Sequence, residues 1–166
     1  MELKVYKIHP DANDIKFQTV GSACFDIAYS SAGKHNYSGY SATNSPINRP
    51  TTNGTIHIMP HERILVPTGL ILDIPENHSV RIHSRSGISL KNGLILANGE
   101  GVIDYDYTDE LFVMLYNISD VGHTISNGDR IAQGELVRKP RYEIEYTLEK
   151  PQKKENRVGG LGSTGV

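Results

Sequence analysis

Residues 63–85 read Arg63-Ile64-Leu65-Val66-Pro67-Thr68-Gly69-Leu70-Ile71-Leu72-Asp73-Ile74-Pro75-Glu76-Asn77-His78-Ser79-Val80-Arg81-Ile82-His83-Ser84-Arg85. Two β-rich runs end at Pro67 and Pro75, with Gly69 between them. From Ser79 to Arg85 polar and apolar residues alternate. Such alternation puts successive side chains on opposite faces of a strand, and Pro and Gly punctuate the turns. The signature extends outward in both directions. Upstream it recurs in Thr55-Ile56-His57-Ile58-Met59 and in Leu3, Val5 and Ile8. Downstream it recurs from Glu110 to Tyr116 and again in Tyr142-Glu143-Ile144-Glu145-Tyr146. Turn signals every 8–12 residues or so predict an all-β sandwich or barrel. No capped amphipathic helix is expected; residues 84–90 allow one short helical turn after Arg85, which Gly87 weakens.

Two segments differ from this pattern. Residues 31–55 are crowded with Ser, Asn, Thr, Gly and Pro and are expected to form a long loop or insertion. Residues 149–166 open with charges and end in Gly159-Gly160-Leu161-Gly162-Ser163-Thr164-Gly165-Val166. Such a tail cannot bury enough apolar surface to fold alone and is expected to be a flexible C-terminal arm, with residues 1–148 as the β domain. Closely spaced glycines with hydroxyls also let backbone amides converge on a phosphate.

Composition narrows the function. The 166 residues suit one domain, and 37% hydrophobic content is lean for a core. With 17 Lys+Arg against 19 Asp+Glu, the net charge of −2 provides no basic excess for grip on a nucleic-acid backbone. The single cysteine, Cys24, excludes an intrachain disulfide and fits a reducing, cytoplasmic setting. No apolar run reaches the ~20 residues that cross a bilayer. The seven histidines show no ligand spacing, so no structural zinc site is expected.

Three short stretches carry candidate chemistry. Ser84-Arg85-Ser86-Gly87 offers a guanidinium fork, a hydroxyl and a glycine amide to an anion. Gly101-Val102-Ile103-Asp104-Tyr105-Asp106-Tyr107, followed by Glu110-Leu111-Phe112-Val113, reads as a strand, a tight turn and a returning strand. A carboxylate at that turn, Asp104, can act as a general base on water, or simply stabilise its own turn. In Gly128-Asp129-Arg130-Ile131-Ala132-Gln133, Gly-Asp opens a turn and Arg130 is placed to pair with a carboxylate.

The order and spacing of these stretches resemble the trimeric dUTPase family. Five ordered motifs have counterparts: Ser22-Ala23-Cys24-Phe25-Asp26-Ile27, residues 85–94, residues 101–110, residues 128–133 and residues 159–165. The resemblance implies a dUTPase-like β-barrel or jelly roll, assembled as a homotrimer with a swapped C-terminal arm. It implies hydrolysis of dUTP to dUMP and pyrophosphate by water attack on the α-phosphorus. That reaction limits uracil incorporation into DNA and supplies dUMP for dTMP synthesis.

By the same resemblance Asp104 is the general base. Asn98, Gly101, Val102, Ile103 and Tyr107, on one hairpin, hold uracil and deoxyribose, with Leu161 covering the base. Arg85, Ser86, Gly87 and Gln133, with Arg157, Gly162, Ser163 and Thr164 of the arm, bind the phosphates. Mg²⁺ is implied as cofactor, bound mainly through the triphosphate, with Asp26 acting on it indirectly through water. Three departures stand out. Cys24 replaces a usual Gly, Leu161 replaces a usual Phe, and Arg157 lies one residue closer to Gly159-Gly160 than is usual; weaker closure of the arm is expected. Phe112, Met114 and Tyr116 are expected in the core or a subunit interface. The alternatives are a dCTP deaminase-like enzyme, or a regulatory protein of the same fold that grips a protein partner through residues 31–55.

Overall fold

The computed structural model describes residues 1–152. Numbered in chain order, its strands build four antiparallel sheets. A four-stranded sheet runs β10 (Gly101–Asp104), β8 (His78–His83), β13 (Arg130–Arg138), β2 (Phe25–Ala28). A five-stranded sheet runs β4 (Pro46–Pro50), β3 (Asn36–Tyr40), β6 (Arg63–Pro67), β11 (Phe112–Asn117), β9 (Leu94–Leu96). Two small ladders pair β1 (Lys4–Lys7) with β7 (Leu70–Asp73), and β12 (His123–Ser126) with β5 (Thr55–Ile58). The expected all-β class holds. No helix among the described residues is long and apolar enough to cross a membrane.

The core lies where the inward faces of these sheets meet. Ile27, Val80, Ile82 and Ile131 of the four-stranded sheet join Ile64, Val66, Val113 and Leu115 of the five-stranded one in a single buried cluster. Burying each such side chain contributes about 1.5–3 kcal/mol relative to leaving it in water. Close packing also explains two strand glycines. A Cβ at Gly39 would strike the backbone of Arg63 and Ile64, and one at Gly134 would enter the Phe25 ring.

Four expectations are corrected. First, residues 31–55 are not a loop: they carry the hairpin β3–β4, which extends the five-stranded sheet at its edge. Asn44 turns the hairpin with φ 61°, a conformation Asn tolerates. The hairpin is anchored to the body. Arg49 donates to the buried Glu62 at 2.8 and 2.5 Å, Met59 N adds a third donor at 2.9 Å, and the Tyr37 hydroxyl donates to the His57 carbonyl at 2.8 Å. Second, the helical turn expected after Arg85 runs further than one turn: α1 (Ser86–Asn92) has no side-chain cap bond and buries no residue, and it closes on Gly93 in the left-handed region at φ 63°. Third, Tyr142–Tyr146 forms no strand; its alternation pairs with no edge among the described residues, and Tyr142, Ile144 and Tyr146 are exposed. Fourth, of the two places expected for Phe112 and Met114, the core is excluded: both are exposed on this chain, because β11 turns Val113, Leu115 and Asn117 inward instead.

Candidate active site

The central feature is a carboxylate between two guanidiniums. Asp26, 8% exposed, accepts from Arg85 Nε at 2.8 Å through one oxygen and from Arg130 at 2.9 Å through the other. Arg85 also donates to the Arg130 carbonyl at 3.2 Å. The pairing follows from the fold. Asp26 on β2 faces Gln133 on β13, and Gln133 faces His83 on β8, so the first, second and fourth motifs share one end of the four-stranded sheet. Two cations on one buried carboxylate compensate its desolvation and fix both arginines. The Gln133 amide donates to the Ser84 carbonyl at 3.3 Å, tying β13 to the segment that leads into Arg85.

Arg85 caps α1 with extended backbone, and Ser86 and Gly87 follow as the exposed first residues of the helix. The earliest intrahelical bond is Ser89 N to the Arg85 carbonyl, so the amides of residues 86–88 have no acceptor within the helix. A cleft of about 350 Å³ opens beside Arg85 and Arg130, lined also by Ile88, Asn92, His123 and Asp129. A larger groove of about 620 Å³ lies away from these residues, between the β3–β4 hairpin and Leu65 and Met114.

The third motif sits elsewhere. β10 runs antiparallel to β8, with Gly101 opposite Ile82 and Asp104 opposite Ser79. Asp104 is exposed and opens a turn closed by Tyr107 N on its carbonyl at 3.2 Å. The returning chain does not pair with β10: β11 joins β6 and β9 in the other sheet. The expected hairpin is therefore a crossover between sheets. The Tyr107 hydroxyl donates to the Glu110 carbonyl at 2.9 Å, and burial, with Asp109 and Glu110 nearby, raises its pKa. The Glu110 carboxylate in turn accepts from Lys34 at 2.6 Å and from Gly69 N at 2.9 Å. Gly101 is buried against Ile82, where a Cβ would approach to 2.9 Å; Asn98 and Val102 are exposed and Ile103 packs on the core.

The structure thus joins Asp26, Arg85 and Gln133 but separates them from Asp104 and Tyr107. Asp104 lies beside Ser79, and Arg85 is six residues further along the chain, just past the end of β8. At about 3.3 Å per extended residue that is on the order of 20 Å. Arg157, Leu161, Gly162, Ser163 and Thr164 lie outside the described residues. Sequence reasoning placed Arg130 in a turn ready to pair, but its carboxylate partner, Asp26, is 104 residues away.

The profile of the dUTPase family matches residues 51–165. The chain belongs to the dUTPase family. The deoxyuridine 5'-triphosphate nucleotidohydrolase of Finegoldia magna is 33% identical over 165 residues, 98% of this chain and 99% of that one. The Helicobacter pylori (strain Shi470) protein of the same description is 33% identical over 100% of this chain and 98% of its own. Among solved structures, the dUTPase of Staphylococcus bacteriophage 80alpha with dUPNHPP superposes with a TM-score of 0.77 over 99% of both chains at 22% identity. The dUTPase of Staphylococcus aureus phage phi11, described for its species-specific insert, gives 0.69 at 20% identity over 90% of this chain and 98% of that one. At these identities the superpositions speak for the fold, and the family assignment rests on the sequence matches.

Proposed function

We infer that the protein is a dUTP diphosphatase, hydrolysing dUTP to dUMP and pyrophosphate. Membership of the dUTPase family along the whole chain carries this reading. Asp104 takes the proton of a water aimed at the α-phosphorus; an exposed carboxylate at a tight turn is free to do so. Tyr107, fixed through its hydroxyl to Glu110, lies under the deoxyribose, and the backbone from Asn98 to Ile103 meets the uracil edge. Arg85, Ser86, Gly87 and Gln133 hold the phosphates, with the α1 amides as additional donors.

The separation of Asp104 from Arg85 supports a site completed by a second copy. A homotrimer meets that need and covers apolar surface such as Phe112 and Met114. Residues 149–166 form an arm that crosses to a neighbour, bringing Arg157, Leu161, Gly162, Ser163 and Thr164 over the nucleotide. The exposed alternation from Tyr142 to Tyr146 is suited to pairing outside its own chain.

Mg²⁺ fits this donor set as an ion carried by the triphosphate. Both Asp26 oxygens are committed to arginines, which leaves an indirect role through water. When bound, the ion supplies charge neutralisation along the phosphates. A second role, for residues 31–55 as the seat of a protein partner, draws support from the exposed Tyr40 beside the hairpin groove.

The test is pyrophosphate release from dUTP, dTTP, dCTP and UTP. Turnover of dUTP alone is expected. Comparable turnover of dTTP or UTP, or ammonia release from dCTP, would overturn the reading.

A further inference from the structure

A second cluster lies on the outer face of the four-stranded sheet. Cys24 precedes β2, His83 ends β8 and Glu135 lies on β13 between them. Gly134 pairs with Phe25, so the next residues outward, Glu135 and Cys24, meet across the β13–β2 ladder. His83 sits opposite Gln133, one step along the same face from Glu135. The Cys24 sulfur, a His83 nitrogen and a Glu135 oxygen lie within 4.8 Å of one another. A thiol, an imidazole and a carboxylate are three ligand types that zinc takes.

We propose that Cys24, His83 and Glu135 bind a thiophilic divalent cation of the zinc class, with the fourth position left to water. Tetrahedral zinc bonds of about 2.0–2.3 Å set neighbouring ligand atoms roughly 3.3–3.8 Å apart. His83 Nε2 already stands 3.5 Å from Glu135 Oε2. The cluster also has the outer partner such sites use. His83 Nδ1 faces Glu100 at 3.7 Å, so a carboxylate flanks the ring nitrogen that does not bind the cation. Arg81, which faces Glu135 across the ladder, is committed to Glu100 at 3.0 Å, and Asp26 to its two arginines. Binding places the Cys24 thiolate on the ion and releases the thiol proton to the buffer. His83 and Glu135 come from neighbouring strands and Cys24 from the residue just before β2, and all three are partly exposed, so the ion can enter without unfolding the sheet. The site differs in kind from a magnesium site, which takes oxygen donors alone. Its ligands are 59 and 52 residues apart along the chain, which is why no spacing motif announces it.

The experiment titrates the untagged, chelator-stripped full chain with Co²⁺ in buffer containing excess Mg²⁺ and no nucleotide. The expected result is one Co²⁺ per chain with a thiolate-to-cobalt charge-transfer band, displaced by Zn²⁺. Cys24→Ser abolishes the band. His83→Gln and Glu135→Gln each weaken binding by at least the roughly 10- to 100-fold that losing an outer partner costs. Glu135→Gln alters a half-exposed side chain, so it keeps the test valid if Cys24→Ser fails to fold. No charge-transfer band, a band that survives Cys24→Ser, or affinity unchanged by Glu135→Gln would overturn the proposal. Because nucleotide is absent, the result is independent of whether the chain hydrolyses dUTP.

Discussion

Asp104 and Arg85 stand at opposite ends of the β8–β10 pair: Asp104 lies across from Ser79 where β8 begins, and Arg85 follows where it ends. If Asp104 is the general base and Arg85 binds phosphate, as proposed, residues so placed serve one nucleotide from two different subunits. Two inactive variants, Asp104→Asn and Arg85→Ala, should therefore rescue each other when unfolded together and refolded. In a closed symmetric assembly, random mixing leaves about one site in four with both residues intact, so about a quarter of wild-type dUTP turnover should return. A mixture as inactive as its parents would place both residues in one subunit's site.

The β3–β4 hairpin depends on Arg49. Its guanidinium is held by a bidentate pair on Glu62, which is 4% exposed, and that pair raises the arginine's pKa. Replacing Arg49 with Ala leaves the carboxylate buried with only the Met59 amide. A loss of about 3 kcal/mol is expected, the low end for breaking a buried pair because Arg49 itself is partly exposed. Urea unfolding midpoints read this directly; a change below about 0.5 kcal/mol, the size of an ordinary surface substitution, would count against it.

Lys34 connects the same hairpin segment to the third motif. Its ammonium pairs with Glu110, whose carbonyl accepts the Tyr107 hydroxyl. Lys34→Ala should loosen Tyr107 without touching Asp104. An effect of about 1 kcal/mol, roughly fivefold, is expected on KM for dUTP with kcat nearly unchanged. A fall in kcat with KM unaltered would assign Lys34 a different role.

Tyr29 is fully buried, and its hydroxyl finds no hydrogen-bond partner among the described residues. Burial, and then Tyr37, raises its pKa. Tyr29→Phe should stabilise the fold by about 1 kcal/mol, since an unpaired buried hydroxyl costs that much or more. The pH dependence has a definite sign. An unfolded tyrosine ionises near pH ~10, whereas Tyr29 keeps its proton in the fold, so stability falls as pH rises beyond that point. The Phe variant should show a shallower alkaline loss. Equal slopes for the two proteins would contradict the assignment.

The strands around residues 55–83 were legible because alternation, Pro and Gly all mark them within a few residues. The β3–β4 hairpin was not, since its polar composition matches a loop and its order comes from distant Glu62 and His57. The α1 helix buries no residue and so leaves no amphipathic signature. Tyr142–Tyr146 shows the converse: an alternating pattern does not make a strand where it pairs with no edge among the described residues. At the site, the ordered motifs identified Asp26, Arg85, Asp104 and Gln133 as residue types. Which of them touch depends on sheet order, β10-β8-β13-β2, which no local pattern encodes. The Cys24, His83 and Glu135 cluster escaped a search by ligand spacing for the same reason.

Hydrolysis of dUTP through Asp104 is tested most directly by pyrophosphate release from dUTP by the wild-type chain and by Asp104→Asn. Asparagine keeps the turn but cannot accept the water's proton. Turnover should fall by about 10²–10⁴-fold, the usual contribution of a general base, with the fold intact by circular dichroism. Turnover near the wild-type rate in the Asn variant would contradict the mechanism.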